Sequence, residues 1–251
     1  MNSLDSPFFI FTISLVAQCL AVYATHLLRK RRPLALDERN DFDIIRNAAL
    51  TLLALVIGFS FAMAVSRYDQ RKNYEEAEAN AIGTEYVRAD LLPTADAMSV
   101  RELLRRYKDL RVLYYRASDE GQIKQIDADT GKLQAELWSA VLRAAKAQPT
   151  AVVALAVSGM NDVLNSQGYT QAAWWNRIPV AAWGLMGLMA ICCNLLVGYG
   201  EHHKSVLVLL ILPVIVSISF LLIADLDSPR GGVIRVLPQN LDPLSQLMQA
   251  K

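Results

Sequence analysis

Apolar and polar positions divide this chain into four long apolar windows and one long polar block. Four windows lack Asp, Glu, Lys and Arg altogether: 23 residues between Asp5 and Arg29, 20 between Arg46 and Arg67, 23 between Arg177 and Glu201, and 20 between Lys204 and Asp225. All four are rich in Leu, Ile, Val, Ala, Phe and Met. A helix needs about 20 apolar residues to cross a hydrocarbon core of roughly 30 Å, so each window predicts a membrane span. Core helices of a soluble protein would show shorter runs with a polar face.

The windows pair into two hairpins, the first joined by residues 29–46 and the second by Glu201-His202-His203-Lys204. The expected fold is an all-α membrane protein with four transmembrane helices. An N-terminal hairpin occupies 1–65, with spans at about 7–28 and 47–66. An extramembrane helical bundle, continuous with the second and third spans, occupies 66–177. A C-terminal hairpin at 178–224, with spans at about 178–200 and 205–224, precedes a tail at 225–251. The first window does not read as a cleaved signal, because residues 1–6 carry only Asp5 and the basic cluster follows the apolar run.

Within the block, no proline interrupts the chain between Ser66 and Pro93, which predicts a single helix running on from the second span. Ala77, Ala79, Ala81 and Gly83 would let a neighbouring helix approach, and Glu76, Asn80, Thr84 and Arg88 recur every four residues on one face. Three more helices are expected. Leu103, Leu104, Tyr107, Leu110 and Tyr114 mark one over 98–117. Ile123, Ile126, Leu133, Leu137 and Val141 mark another over 119–147, and Val153, Val157, Met160 and Leu164 a third over 150–166. Pro149 suits the start of the third, Gly168 its end, and Trp174 and Trp175 an interfacial aromatic belt.

Composition adds exclusions. With 53% hydrophobic residues, 20% charged, a mean hydropathy of +0.25 and a net charge of +1, the chain lacks the basic excess of a nucleic-acid binder. Three cysteines, at 19, 192 and 193, are too few for a disulfide scaffold and lie inside apolar spans. The two connecting loops hold seven Lys/Arg in 22 residues, against six near span ends on the opposite side. That balance favours a bacterial inner-membrane protein with its N-terminus and residues 66–177 in the periplasm.

Candidate chemistry is sparse. His26, His202 and His203 lie at span ends or in the short loop, Ser158-Gly159 lacks the pattern of a nucleophile elbow, and no phosphate loop or metal-ligand spacing occurs. An enzyme is not expected, and neither is a cofactor or a metal. No ionisable Asp, Glu, Lys or Arg lies deep in a span, which argues against ion-coupled transporters and proton pumps. Gln18, Asn47, Ser60 and Asn194 are the polar residues there, Asn194 reading as helix–helix glue, and Pro213 falls midway along the fourth span. Charge gathers where two spans end: Arg67, Asp69 and Arg71 after the second, and Asp225, Asp227 and Arg230 after the fourth. This cluster suits either an ion-attracting vestibule or a structural collar of salt bridges.

Several stretches resemble a known family. GFSFAMAVSRYDQR and EAEANAIGTEYVRADLLP within 58–93, MNDVLN at 160–165, NRIP at 176–179 and ADLDSPRGGVIRV at 224–236 are similar to the bestrophin-like domain family of bacterial membrane proteins, in order and over nearly the whole chain. The family pattern falls on Arg67, Arg71, Glu78, Asn80, Gly83, Thr84, Arg88, Asp90, Asn161, Asp225, Asp227, Pro229 and Gly232. The chain departs from it at Asn165-Ser166-Gln167-Gly168 and at Ser228, where similar proteins place charged residues. The resemblance implies a four-span protein of the cytoplasmic membrane with a distant likeness to chloride-conducting bestrophins, whose extramembrane helices are cytoplasmic. The expected function is an oligomeric ion-conducting pore, assembled from copies of this chain in the lipid bilayer and passing small inorganic ions. Its candidate path or charge network comprises Arg67, Asp69, Arg71, Glu76, Glu78, Asn80, Thr84, Arg88, Asp225, Asp227 and Arg230. The alternative is a membrane-anchored sensor or scaffold whose helical block binds a partner protein.

Overall fold

The computed structural model describes residues 6–31, 38–200 and 206–249. Its regular elements among these residues are helices: α1 (Pro7–Arg31), α2 (Arg39–Arg88), α3 (Thr94–Arg116), α4 (Glu120–Ala147), α5 (Ala151–Trp175), α6 (Val180–Gly200), α7 (Val206–Asp227) and α8 (Leu244–Gln249), with a 3₁₀ turn at Ala89–Leu91. Among the described residues, four stretches are long and apolar enough to cross a membrane, in α1, α2, α6 and α7, the third lying within the Ala151–Gly200 region. In α2 the charge-free stretch is residues 47–66. The connections at 32–37 and 201–205, and with them the turn of the second expected hairpin, lie outside the described residues.

The chain divides into two compact units: Met1–Tyr68 with Arg177–Arg235, and Asp69–Asn176 with Val236–Lys251. The expected C-terminal tail is thus split, its first part belonging with the spans and its last part with the helical block.

In the first unit, α1 packs on α6 and α7. Leu53 and Ala64 of α2, Met186, Ala190 and Cys193 of α6, and Val216, Phe220 and Ile223 of α7 form its apolar core. Close approach of α1 to α6 depends on Gly198. A Cβ added there would overlap the Thr25 hydroxyl and come within 2.6 Å of the Val22 carbonyl oxygen. Polar side chains meet between these helices. Asn194 Nδ2 donates to Gln18 Oε1 at 2.8 Å, and Gln18 Nε2 donates to Ser14 Oγ at 2.6 Å and Ser217 Oγ at 3.1 Å. That is the helix-joining role expected of Asn194, and it extends to α1 and α7. α7 continues through Pro213 as one helix.

In the second unit, α3, α4 and α5 pack in succession through the stripes their spacing predicts, with Leu104, Tyr107 and Tyr114, Leu133, Leu137 and Val141, and Val153 and Met160 buried. Asp119 caps α4 by accepting from Gln122 N at 2.9 Å, and Thr150, rather than Pro149, caps α5 by accepting from Val153 N at 3.2 Å. Two expectations are corrected here. α5 does not stop at Gly168 but runs to Trp175, because Thr170, Ala173 and Trp174 are buried, and such packing outweighs the cost of roughly 1 kcal/mol for a helical glycine. Trp174 belongs to no interfacial belt. It is 4% exposed and meets the rings of Tyr114 and Tyr115 at 5.3 and 5.6 Å, whereas Trp175 is 73% exposed.

Replacing Gly198 by Leu is expected to separate α1 from α6 and destabilise the protein by about 1–3 kcal/mol, the usual cost of overpacking. Gly187→Leu, at a glycine whose added Cβ meets nothing within 4 Å, should change little. Thermal unfolding of the two detergent-solubilised variants checks the contrast.

Candidate functional site

α2 is the element on which most of the candidate residues sit, and its 3.6-residue repeat sorts them into two faces. Within 69–88, Asp69, Asn73, Glu76, Asn80 and Thr84 are exposed. Arg71, Glu75, Glu78, Ile82 and Glu85 follow the same three-and-four spacing on the buried side. The expected set therefore separates: Asp69, Glu76, Asn80 and Thr84 share the outer face, Arg71 and Glu78 are turned inward, and Arg88 is half-buried beside Gly159.

The inner face meets each buried carboxylate with a different set of partners. Glu78 is fully buried and paired with Arg111 of α3, which donates through Nε to Oε1 and, at 3.5 Å, through Nη2 to Oε2. Tyr115 Oη and Thr170 Oγ1 each donate to Glu78 Oε2 at 3.1 Å. The Arg111 guanidinium lies over the Tyr114 ring, 4.4 Å from its centroid. Burial pulls this guanidinium down, but the Glu78 carboxylate more than offsets it and holds Arg111 protonated above its ordinary value. Burial, reinforced by Glu78, likewise pushes the Tyr115 phenol up, so it stays a donor.

Glu75 is held by the C-terminal segment. Its Oε1 accepts from Asn240 N at 2.9 Å and Leu241 N at 3.0 Å, and its Oε2 accepts from Asn240 Nδ2 at 2.6 Å. Further along the same segment, Lys108 donates to Ser245 Oγ at 2.7 Å, and Tyr86 and Arg105 donate to the Met248 carbonyl at 2.9 and 2.6 Å. Gly83 leaves room for it, since a Cβ there would meet Leu244 at 3.1 Å.

In the first unit, the acids after α7 hold local structure. Asp225 accepts from Val233 N at 2.6 Å and Ile234 N at 3.0 Å, closing the Pro229–Gly232 turn, and Gly232 has no room for a Cβ against that carboxylate. Asp227 accepts from Ile178 N at 2.9 Å, tying the end of α7 to the approach to α6. Arg67 is half-buried, with Nη2 3.6 Å from Met63 Sδ, and Arg230 is half-buried. Within the α2 span, Leu52, Leu55, Phe59, Ala62 and Ser66 are exposed at three-and-four spacing, in sequence register with the outer polar positions from Asp69 onward.

Sequence reasoning missed Glu75, Glu85, Lys108 and Arg111. The inner stripe was readable as a period, but charged residues at helical spacing ordinarily mark a solvated face. Arg111→Met is expected to destabilise the second unit by about 3–5 kcal/mol, since it leaves Glu78 buried and uncompensated. Adding Glu78→Gln should recover part of that loss, as read by thermal unfolding of both variants and the double variant.

Comparison with known proteins places this arrangement. A bacterial bestrophin homologue from Klebsiella pneumoniae, in a tryptophan-to-alanine variant, superposes with a TM-score of 0.68 at 12% identity, covering 100% of this chain and 96% of that one. The structure of the Klebsiella homologue obtained by Zn-SAD phasing gives 0.64 at 14% identity, with 96% and 95% covered. A membrane protein in a proline-to-alanine variant gives 0.65 at 15%, with 97% and 96% covered. At these identities the likeness is one of fold. No curated protein matches the chain significantly. The sequence model of the Bestrophin-like domain matches residues 12–241, and the chain belongs to the bestrophin-like family.

Proposed function

We propose that this protein is one subunit of an oligomeric ion-conducting pore in the bacterial inner membrane, with the outer face of α2 lining the path. The observation that carries the reading is the composition of that face. It runs from Leu52, Leu55 and Phe59 through small Ala62 and Ser66 to polar Asp69, Asn73, Glu76, Asn80 and Thr84, all exposed. A ring of copies turning the same face inward would form an apolar constriction followed by a polar mouth. The fold shared with bacterial bestrophin homologues supports the same reading.

In this reading Glu78 and Arg71 are structural, and Asp69, Glu76, Asn80 and Thr84 touch the path. Asp225, Asp227, Arg67 and Arg230 shape the ends of the spans. The basic loops support placing the N-terminus and residues 66–177 in the periplasm. The alternative of a partner-binding scaffold draws on one observation: a cavity of about 710 Å³ between α4 and α5, lined by exposed Trp138 together with Val153, Ala154 and Val157.

The test is ion flux through purified protein in liposomes, after the detergent-corrected mass has established a closed oligomer. Flux is expected, and Asp69→Asn with Glu76→Gln should raise the permeability of anions relative to cations, read as a shift in reversal potential. Glu78→Gln should leave selectivity unchanged. A properly assembled oligomer that passes no common ion sinks the reading.

A further inference from the structure

In the second unit Glu85 lies on the buried side of α2, against α5. Its side chain is fully buried, and neither carboxyl oxygen has a hydrogen-bond partner among the described residues. Gly159 of α5 makes the space: a Cβ there would overlap Glu85 Oε2 and lie 2.5 Å from Arg88 Nη1 and 3.1 Å from Arg88 Cδ. The charged groups acting on Glu85 are Arg88, one turn further along α2, and Asp162, one turn beyond Gly159 on α5. In the 3₁₀ turn that follows α2, Asp90 is paired with Arg101 of α3, and the Tyr86 hydroxyl is bonded to Met248 and Arg105.

A carboxylate in this place would give up its hydration without the amide and hydroxyl donors that Glu75 and Glu78 have. The neutral acid avoids most of that cost. Burial accordingly pushes the Glu85 carboxyl up to about 8, with Arg88 pulling it down and Asp162 adding to the rise.

We propose that Glu85 is a proton-binding site at the α2–α5 contact, where the neutral acid packs against Gly159 and the ionised form drives the two helices apart to reach solvent. This site lies off the outer face of α2 and does not depend on ions passing there. Below the ordinary carboxyl value of 4.5, folded and unfolded chains both hold the proton, and the stability it brings is fully present. Above 4.5 only the folded chain keeps it, so stability falls as pH rises and reaches its floor above about 8.

The experiment uses the full-length protein in nanodiscs. Its carboxylic-acid C=O stretch is titrated by infrared difference spectroscopy between about pH 5 and pH 9, with thermal unfolding followed alongside. One acid band should persist past the ordinary carboxylate range, vanish with a midpoint near 8, and be missing from Glu85→Gln. Relative to Glu85→Gln, the wild-type unfolding equilibrium should move toward the unfolded state by up to about tenfold per pH unit across that window. Gly159→Ala, which displaces the carboxyl from its space, should lower the midpoint toward 4.5. The proposal is overturned if wild type shows no acid band near neutral pH, if wild type and Glu85→Gln share one pH dependence of unfolding, or if folded Gly159→Ala keeps the wild-type midpoint.

Discussion

Taking a carboxylate out of water costs several kcal/mol unless other groups replace the lost hydration. That constraint organises the second unit, because α2 turns Glu75, Glu78 and Glu85 inward along one stripe. Each is reconciled with burial differently. Glu75 receives backbone and side-chain N–H groups from the C-terminal segment, which fixes that segment against α2. Glu78 receives a guanidinium and two hydroxyls, which fix α3 and α5. Glu85 receives no donor from the described residues, only a space opened by a glycine and a proton of its own. The three positions therefore grade from a carboxyl group well supplied with donors to one that has none among the described residues, along three turns of one helix.

The membrane unit solves a related problem with uncharged groups. Gln18, Asn194, Ser14 and Ser217 bond to one another across α1, α6 and α7, in spans with no ionisable Asp, Glu, Lys or Arg. Such contacts in lipid contribute roughly 0.6–2 kcal/mol each, so their main effect is to fix which faces meet. Gly198 then sets how closely α1 and α6 approach. Specific positioning in this unit thus rests on a few polar and small residues set in surfaces that are otherwise uniformly apolar.

Much of the fold was legible because it follows from length and period. Charge-free windows of 20 and 23 residues determine the spans, and the stripes through Leu104, Leu137 and Met160 locate the bundle helices. What stayed hidden was decided by tertiary context. Gly168 looks like a helix end until Thr170 and Trp174 are seen to be buried beyond it. Trp174 looks interfacial until Tyr114 and Tyr115 are seen to enclose it. On α2 the difficulty is sharper, since both faces of residues 69–88 are polar and no contrast between an apolar and a polar side tells inside from outside. Glu76 and Glu78 are two residues apart and chemically alike, yet one meets solvent and the other Arg111, a partner 33 positions away.

That two-faced polarity bears on how such a helix can work. A conducting surface must stay polar yet unpaired, so that ions are attracted without being held. A packing surface made of charges must be fully paired, or protonated, to be stable at all. In the proposed pore these demands fall on separate faces of α2, with Asn80 and Thr84 on one side and Glu78 and Glu85 on the other, a quarter to half a turn apart. Gly159 of α5 lies against the Glu85 and Arg88 side chains of α2, where an added Cβ would overlap Glu85 Oε2, so a change in charge at Glu85 acts on the α2–α5 contact. In the proposed proton site the ionised form separates α2 from α5, and Asn80 and Thr84, on the same stretch of α2 in the second unit, share that displacement.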